Sequence, residues 1–189
     1  MVVENLKATG KVNVTFYQNG STSYDLYQRN CSALGSLANS STGIKGTGGQ
    51  RNTVKALLGR SAACAKLWEY DYVMEVHFNA TGYAAKDVSG DGSAKGFGIY
   101  INQYKSGANR KVDQLLVSKI RRTGFQIWGG TGIFTSAGLL NARTCQELGV
   151  NYSLIETAFI DDRDDMVFYG SHKKQMAKAV AAAIDAYCG

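Results

Sequence analysis

Apolar positions recur along this chain with two periods, and each period predicts a kind of element. In residues 11–17, KVNVTFY, Val12, Val14 and Phe16 alternate with polar partners, which predicts a half-buried strand. A long polar stretch follows over 18–52, rich in Asn, Gly, Ser and Thr, with a short helix predicted between Tyr24 and Leu37. Its glycine cluster at 46–49, GTGG, lacks the Lys-Ser/Thr pair of a phosphate loop and reads as an ordinary loop. Over 53–67, Val54, Leu57, Leu58, Ala62 and Ala65 fall at helical spacing behind Thr53 as a cap.

The second half alternates more regularly. Residues 70–78, YDYVMEVHF, form a β-prone run, and 96–102, GFGIYIN, form another. The polar segment 81–95 between them carries an Asp87-to-Gly92 pattern that lacks the twelve-residue ligand set of a calcium loop, so it reads as a turn. Residues 109–122 place Val112, Leu115, Leu116, Lys119 and Ile120 on one helical face. A buried strand is predicted over 150–160, VNYSLIETAFI, and a closing helix over 171–187 with Met176, Ala179, Val180, Ala183, Ile184 and Tyr187 inward. Strands alternating with helices predict an α/β fold with a largely parallel sheet. No linker divides the 189 residues, so 1–189 reads as a single domain.

Composition narrows the class. Hydrophobic residues make up 44% and charged residues 19%, as in an ordinary globular chain. No apolar run approaches the roughly 20 residues of a membrane span, and no signal peptide is visible at the N-terminus. Proline is absent and glycine numbers 22, so chain reversals rely on Gly, Asn and Ser. The net charge of +6 favours a polyanionic partner without choosing among nucleic acid, anionic membrane and acidic wall polymer. The densest basic stretch, Lys105 to Arg122, has no aromatic-interleaved RNA motif or zinc-finger spacing beside it, so a nucleic-acid partner is not expected. Cys31, Cys64, Cys145 and Cys188 match no C-x-x-C pattern and read as free, mostly buried thiols.

Only two histidines are present. In the run Val73 to Asn79, a period of two sends Glu75, His77 and Asn79 to one face and Met74, Val76 and Phe78 to the other. Three polar groups at the C-terminal end of a strand suit a ligand site, because ligands of open α/β sheets bind there. Glu156 sits inside the apolar run Leu154 to Ile160, where an ionised carboxylate is costly unless paired or facing a polar site. Such a carboxylate makes a natural general base. Asp161-Asp162-Arg163-Asp164-Asp165 reads as a turn and helix N-cap, and His172, among Ser171, Lys173 and Lys174, as a solvated surface residue.

These residues carry a resemblance. Glu75-Val-His-Phe-Asn-Ala80, a Gly-rich loop, the strand from Gly96, and Leu154-Ile-Glu-Thr-Ala-Phe-Ile-Asp-Asp162 before a closing helix resemble zinc-dependent N-acetylmuramoyl-L-alanine amidases of the phage-endolysin and bacterial-autolysin kind. The resemblance covers roughly residues 3–187. It implies a three-layer, largely parallel twisted sheet with helices on both faces, and cleavage of the amide between N-acetylmuramic acid and L-alanine of peptidoglycan at the cell wall. It also implies zinc held by a histidine, a glutamate and a second histidine, the last matching His77, and a catalytic glutamate matching Glu156. Zinc with three protein ligands keeps a position open for water and lowers that water's pKa to about 7.

The departure lies upstream. The family opens with a strand ending in Gly-His and a ligand glutamate in its first helix. This chain has no histidine before His77, and Glu4 is the only acidic residue before Asp25. Met1 to Lys7 resembles the later part of that helix, and Glu4 lies too close to the following strand to match the ligand. Two readings stay open: an N-terminally incomplete amidase domain, or a natural protein that has lost its metal site. Either way the chain is expected to bind zinc weakly or not at all. The alternative to an enzyme is a non-catalytic module of the same fold that still grips peptidoglycan.

Overall fold

A computed structural model describes residues 1–16, 38–39, 43–44, 70–81, 94–102, 110–136, 138–139, 142, 145 and 150–189. The chain opens with helix α1 (Val2–Thr9), which stops at Gly10 in the left-handed conformation, φ 66°. Two short strands, β1 (Ala38–Asn39) and β2 (Gly43–Ile44), pair antiparallel within the stretch read as loop. The main sheet follows: β3 (Tyr72–Asn79), β4 (Gly98–Asn102), helix α2 (Arg110–Arg121), β5 (Ile133–Ser136), β6 (Asn151–Phe159) and the long helix α3 (Arg163–Cys188).

The four strands run in the order β3-β6-β4-β5. The β3–β6 and β4–β5 pairs are parallel, and β4–β6 is antiparallel. The result is a mixed sheet with helices, an α/β fold in which two of three pairings are parallel. β6 lies inside the sheet, and every residue from Tyr152 to Phe159 is buried. That is why its sequence reads as one apolar run: a strand covered on both faces has no solvent side to mark with polar residues.

One face of the sheet packs against the helices. Ile99 and Ile101 of β4 and Ile155 of β6 join Val112, Leu116 and Ile120 of α2, Met176, Val180 and Ile184 of α3, and Leu6 of α1 in one core. Each fully buried aliphatic side chain contributes about 1.5–3 kcal/mol. Asp113 of α2 is also fully buried on this side and accepts a hydrogen bond from the Ser153 hydroxyl, which spares it an unpaired burial. Ile155 faces the helices, so its neighbour Glu156 faces the other way.

Three expectations change. Residues 11–16 form no strand, although Val12 and Val14 do pack against the core, and Phe16 is 64% exposed. Alternation orients side chains, but a strand also needs a ladder partner. The closing helix begins at Arg163 rather than 171, because its first two turns carry no continuous apolar stripe to announce them. β5 is not legible in the sequence: four residues, IFTS, are too few to display a period. The predicted helix 53–67, the segment 24–37, the glycine cluster 46–49 and the Asp87 turn lie outside the described residues. Among the described residues, Cys145 is a free buried thiol and Cys188 a free exposed one. No helix of the described residues is long and apolar enough to cross a membrane.

Candidate active site

The site forms where β3 and β6 end side by side. Their register pairs Glu75 with Leu154 and His77 with Glu156. Residues paired in neighbouring strands share a face, so His77 and Glu156 project together from the side of the sheet opposite Ile155. Directly after this pair the register shifts: Asn79 pairs with Phe159, which gives β6 one extra residue. The Thr157 hydroxyl donates to the His77 carbonyl at 2.9 Å within this irregularity. A bulge of this kind re-aims side chains at the end of a ladder.

The ends of both strands are then tied down by the acidic turn. Ile160 donates its N–H to the Asn79 carbonyl at 2.8 Å. Asp161 accepts from the Thr81 backbone at 2.8 Å and from its hydroxyl at 2.5 Å. Asp162 is the N-cap of α3, accepting from the Asp165 N–H at 2.8 Å. Asp165 accepts from the backbone of Gly96 at 2.7 Å and of Phe159 at 2.9 Å, joining the segment just before β4 to β6 and α3. The cap expected of this acidic run is present, and the run also serves as the clasp of the strand ends.

On the third side, Gly98 of β4 stands opposite Glu156. A Cβ at Gly98 would lie 3.1 Å from Trp128 and 3.4 Å from Phe134, so the missing side chain makes room for these rings beside Glu156. Trp128 is held there by its backbone, donating to the Phe97 carbonyl at 3.0 Å, and it packs at 4.2 Å between centroids on Phe134.

The electrostatics follow from burial and pairing. Glu156 is 8% exposed, and its Oε2 has no hydrogen-bond partner among the described residues. Burial pushes its carboxyl above the usual range, opposed in part by His77. The His77 imidazole is raised, first by its close contact with Glu75 and then by the charges of Glu75 and Glu156, against the effect of burial. His77 Nε2 lies 3.1 Å from Glu75 Oε2. On the same face, burial holds the Tyr152 hydroxyl well above its ordinary value, and the Glu75 carboxylate raises it further. A desolvated carboxylate with a free oxygen, beside an imidazole, is equipped to accept and return a proton.

An N-acetylmuramoyl-L-alanine amidase family model matches residues 1–186. The chain belongs to that amidase family. Over 115 residues this amidase-family chain is 27% identical to a probable autolysin of Staphylococcus aureus, covering 61% of the chain and 21% of that relative. It thus spans about a fifth of the relative's length. Among solved structures it is similar to Cwp6 of Clostridium difficile, at 18% identity with a TM-score of 0.59 over 100% of this chain and 24% of that one. It is also similar to the CwlD amidase of Clostridioides difficile, solved in complex with the GerS lipoprotein, at 12% identity with a TM-score of 0.55 over 98% and 80% of the two chains. The amidase Ami1 of Mycobacterium abscessus gives a TM-score of 0.51 at 12% identity, covering 88% and 74%. At these identities the likeness to the solved structures is one of fold.

Among the described residues the donor set does not fit the zinc that the family resemblance implies. No group of three or more His, Cys, Asp or Glu side chains among the described residues is arranged to hold a metal ion. His77 stands at the site as its one described imidazole, with Nε2 turned to Glu75. Glu4 is not brought there: it is 80% exposed on α1, paired with the Met1 amine at 2.5 Å, which holds its carboxyl below the usual range. His172 is not brought there either. It is half-buried rather than solvated, stacked at 3.9 Å on Phe168 one turn earlier on α3. Sequence reasoning passed over Tyr152 and Trp128. Tyr152 was within reach, because it shares the period of Leu154 and Glu156; Trp128 was not, because it arrives through the pairing of β4 with its flanking turn.

Proposed function

We propose that this chain is a cell-wall hydrolase domain that cleaves the amide between N-acetylmuramic acid and L-alanine of peptidoglycan, with Glu156 as the proton-transfer residue. The observation that carries this reading is the register pairing of Glu156 with His77, with one Glu156 oxygen buried and unpartnered. In the reaction, Glu156 Oε2 takes a proton from water as the water oxygen bonds to the lactyl carbonyl carbon. The carbon–nitrogen bond then breaks, and Glu156 returns the proton to the departing L-alanine amine. His77 stands beside the carboxylate and offsets the charge that develops there. The reading takes residues 1–189 as one domain acting at the cell wall, and the +6 charge suits an anionic wall polymer.

Activation of the water by zinc is the family's route. One imidazole does not hold zinc tightly, since zinc sites use three or four protein ligands. We therefore propose weak zinc binding, through His77, by this chain on its own. The same donor set favours a second reading, in which the chain binds peptidoglycan without cutting it.

Incubation with purified insoluble peptidoglycan separates the two. Release of stem peptide with a free L-alanine amine supports the hydrolase; co-sedimentation with no release supports the binding module. Neither binding nor release would overturn both.

A further inference from the structure

The helix side of the sheet carries a charge pattern that the candidate active site does not use. α2 presents Lys111 and Arg122 to solvent with Lys119 half-buried between them, and α3 presents Lys173, Lys174 and Lys178. The two helices pack together in the core. Phe125, just past the end of α2, meets Phe168 of α3 edge-on at 4.8 Å and His172 at 6.4 Å between ring centroids. This contact brings the basic end of α2 beside the turn of α3 that holds Lys173 and Lys174.

The cations have no acidic counterweight on these surfaces. Asp113, the one acidic residue of α2, is fully buried and bonded by Ser153, and α3 has no acidic residue from Met166 to Ile184. Among the described residues none of the six cations forms an ion pair. The helix dipole accounts for Lys119, in the last turn of α2, but not for Lys173, Lys174 and Lys178, which lie well inside a helix of 26 residues. Lys174 and Lys178, four residues apart on one helix, also repel each other. A one-sign cluster drawn from two helices is the electrostatic footprint of a polyanionic partner.

We propose that the outer surface of α2 and α3 docks a phosphate-bearing polymer of the cell wall and so holds the domain on its substrate. The inference rests on the reading above for where the chain works. Ile155 packs toward these helices and its neighbour Glu156 faces the other side of the sheet, so a polymer held here leaves the candidate active site open. Repeating phosphates suit the surface because a lysine ammonium meets them as a point charge and needs no fixed geometry. The exposed neighbours Gln114, Ser118 and Gln175 offer no aromatic ring on which a nucleic-acid base could stack.

The test is co-sedimentation of the full chain with insoluble bacterial walls that keep their covalently attached phosphate polymer, and with the same walls stripped of it by hydrofluoric acid. At low salt the wild type is expected to bind native walls at least about tenfold more tightly than stripped walls, and the difference is expected to shrink as salt rises. The variant Arg122→Gln/Lys174→Gln/Lys178→Gln changes only exposed side chains, and circular dichroism checks its fold. It is expected to lose the preference while binding stripped walls as the wild type does. Equal binding of the wild type to both walls, or an undiminished preference in the folded variant, would overturn the proposal. Soluble polyphosphate supplies an arm that needs no variant: release of the wild type from native walls supports the docking surface, and no release overturns it. A double-stranded oligonucleotide bound more tightly than native walls at the same salt would assign the surface to nucleic acid and overturn the proposal as well. Sedimentation requires no turnover. A preference for native walls without release of stem peptide from either kind of wall therefore refutes the hydrolase reading alone.

Discussion

His77 and Glu156 come from strands far apart in the chain, yet they are direct ladder partners in adjacent parallel strands. Their side chains emerge from the same face at the shared end of β3 and β6, immediately before the bulge that ends the regular pairing. The burial that raises the Glu156 carboxyl and the Glu75 contact that raises the His77 imidazole both belong to this junction.

Glu156→Gln keeps the shape and hydrogen-bonding capacity of the side chain but cannot accept the water proton. Release of stem peptide from purified walls is expected to fall by about 10²–10⁴-fold, the usual contribution of a positioned acid–base group. Circular dichroism is expected to stay unchanged. Undiminished release by this variant would remove Glu156 from the reaction.

Zinc titration measures the donor set directly. One imidazole with Nε2 facing Glu75 predicts no stoichiometric tight complex in calorimetry. A one-to-one isotherm with nanomolar affinity would mean that the chain supplies further ligands to the ion.

The backbone frame of the site has a brittle point at Gly96, where φ is 101° and a Cβ would lie 2.6 Å from the Gln126 carbonyl oxygen. Gly96→Ala combines that clash with an unfavourable backbone conformation, and about 2–4 kcal/mol of stability should be lost. Urea unfolding reads it as a lower midpoint at unchanged slope; a midpoint equal to wild type would show that the turn relaxes freely.

Asp162→Ala removes the cap of α3 and the acceptor for the Asp165 N–H. A loss of about 1 kcal/mol is expected from the cap. Thermal unfolding should register it, and no shift in midpoint would mean the cap adds nothing to the clasp.

Asp165 gives a pH signature. Burial raises its carboxyl above the ordinary value, against the hydrogen bonds from Gly96 and Phe159. The folded state therefore holds the proton more tightly than the unfolded state. The stability from this group is fully present below the unfolded carboxyl pKa, about 3.9, and is lost as pH rises through the folded value. Asp165→Asn should flatten that descending part of the stability–pH curve. An identical curve for wild type and variant would contradict the assignment.

Much of this architecture was readable in one dimension. The runs around Met74, Ile99, Leu116, Ile155 and Val180 are where strands and helices formed, because a two- or 3.6-residue period directly encodes which side of an element avoids water. The same period places Glu75, His77 and Asn79 on one face without reference to any partner strand. Residues 11–16 show the limit: Val12 and Val14 were sorted inward correctly, but no ladder neighbour made them a strand.

Local pattern alone thus determined the α/β class, the inward faces, and the two residues on which the proposed chemistry turns. Only the tertiary structure decided that His77 meets Glu156, that a bulge follows them, and that Trp128 fills the space left by Gly98. Strand register and desolvation arise from packing between segments distant in sequence, and no window of neighbouring residues contains the atoms that set them.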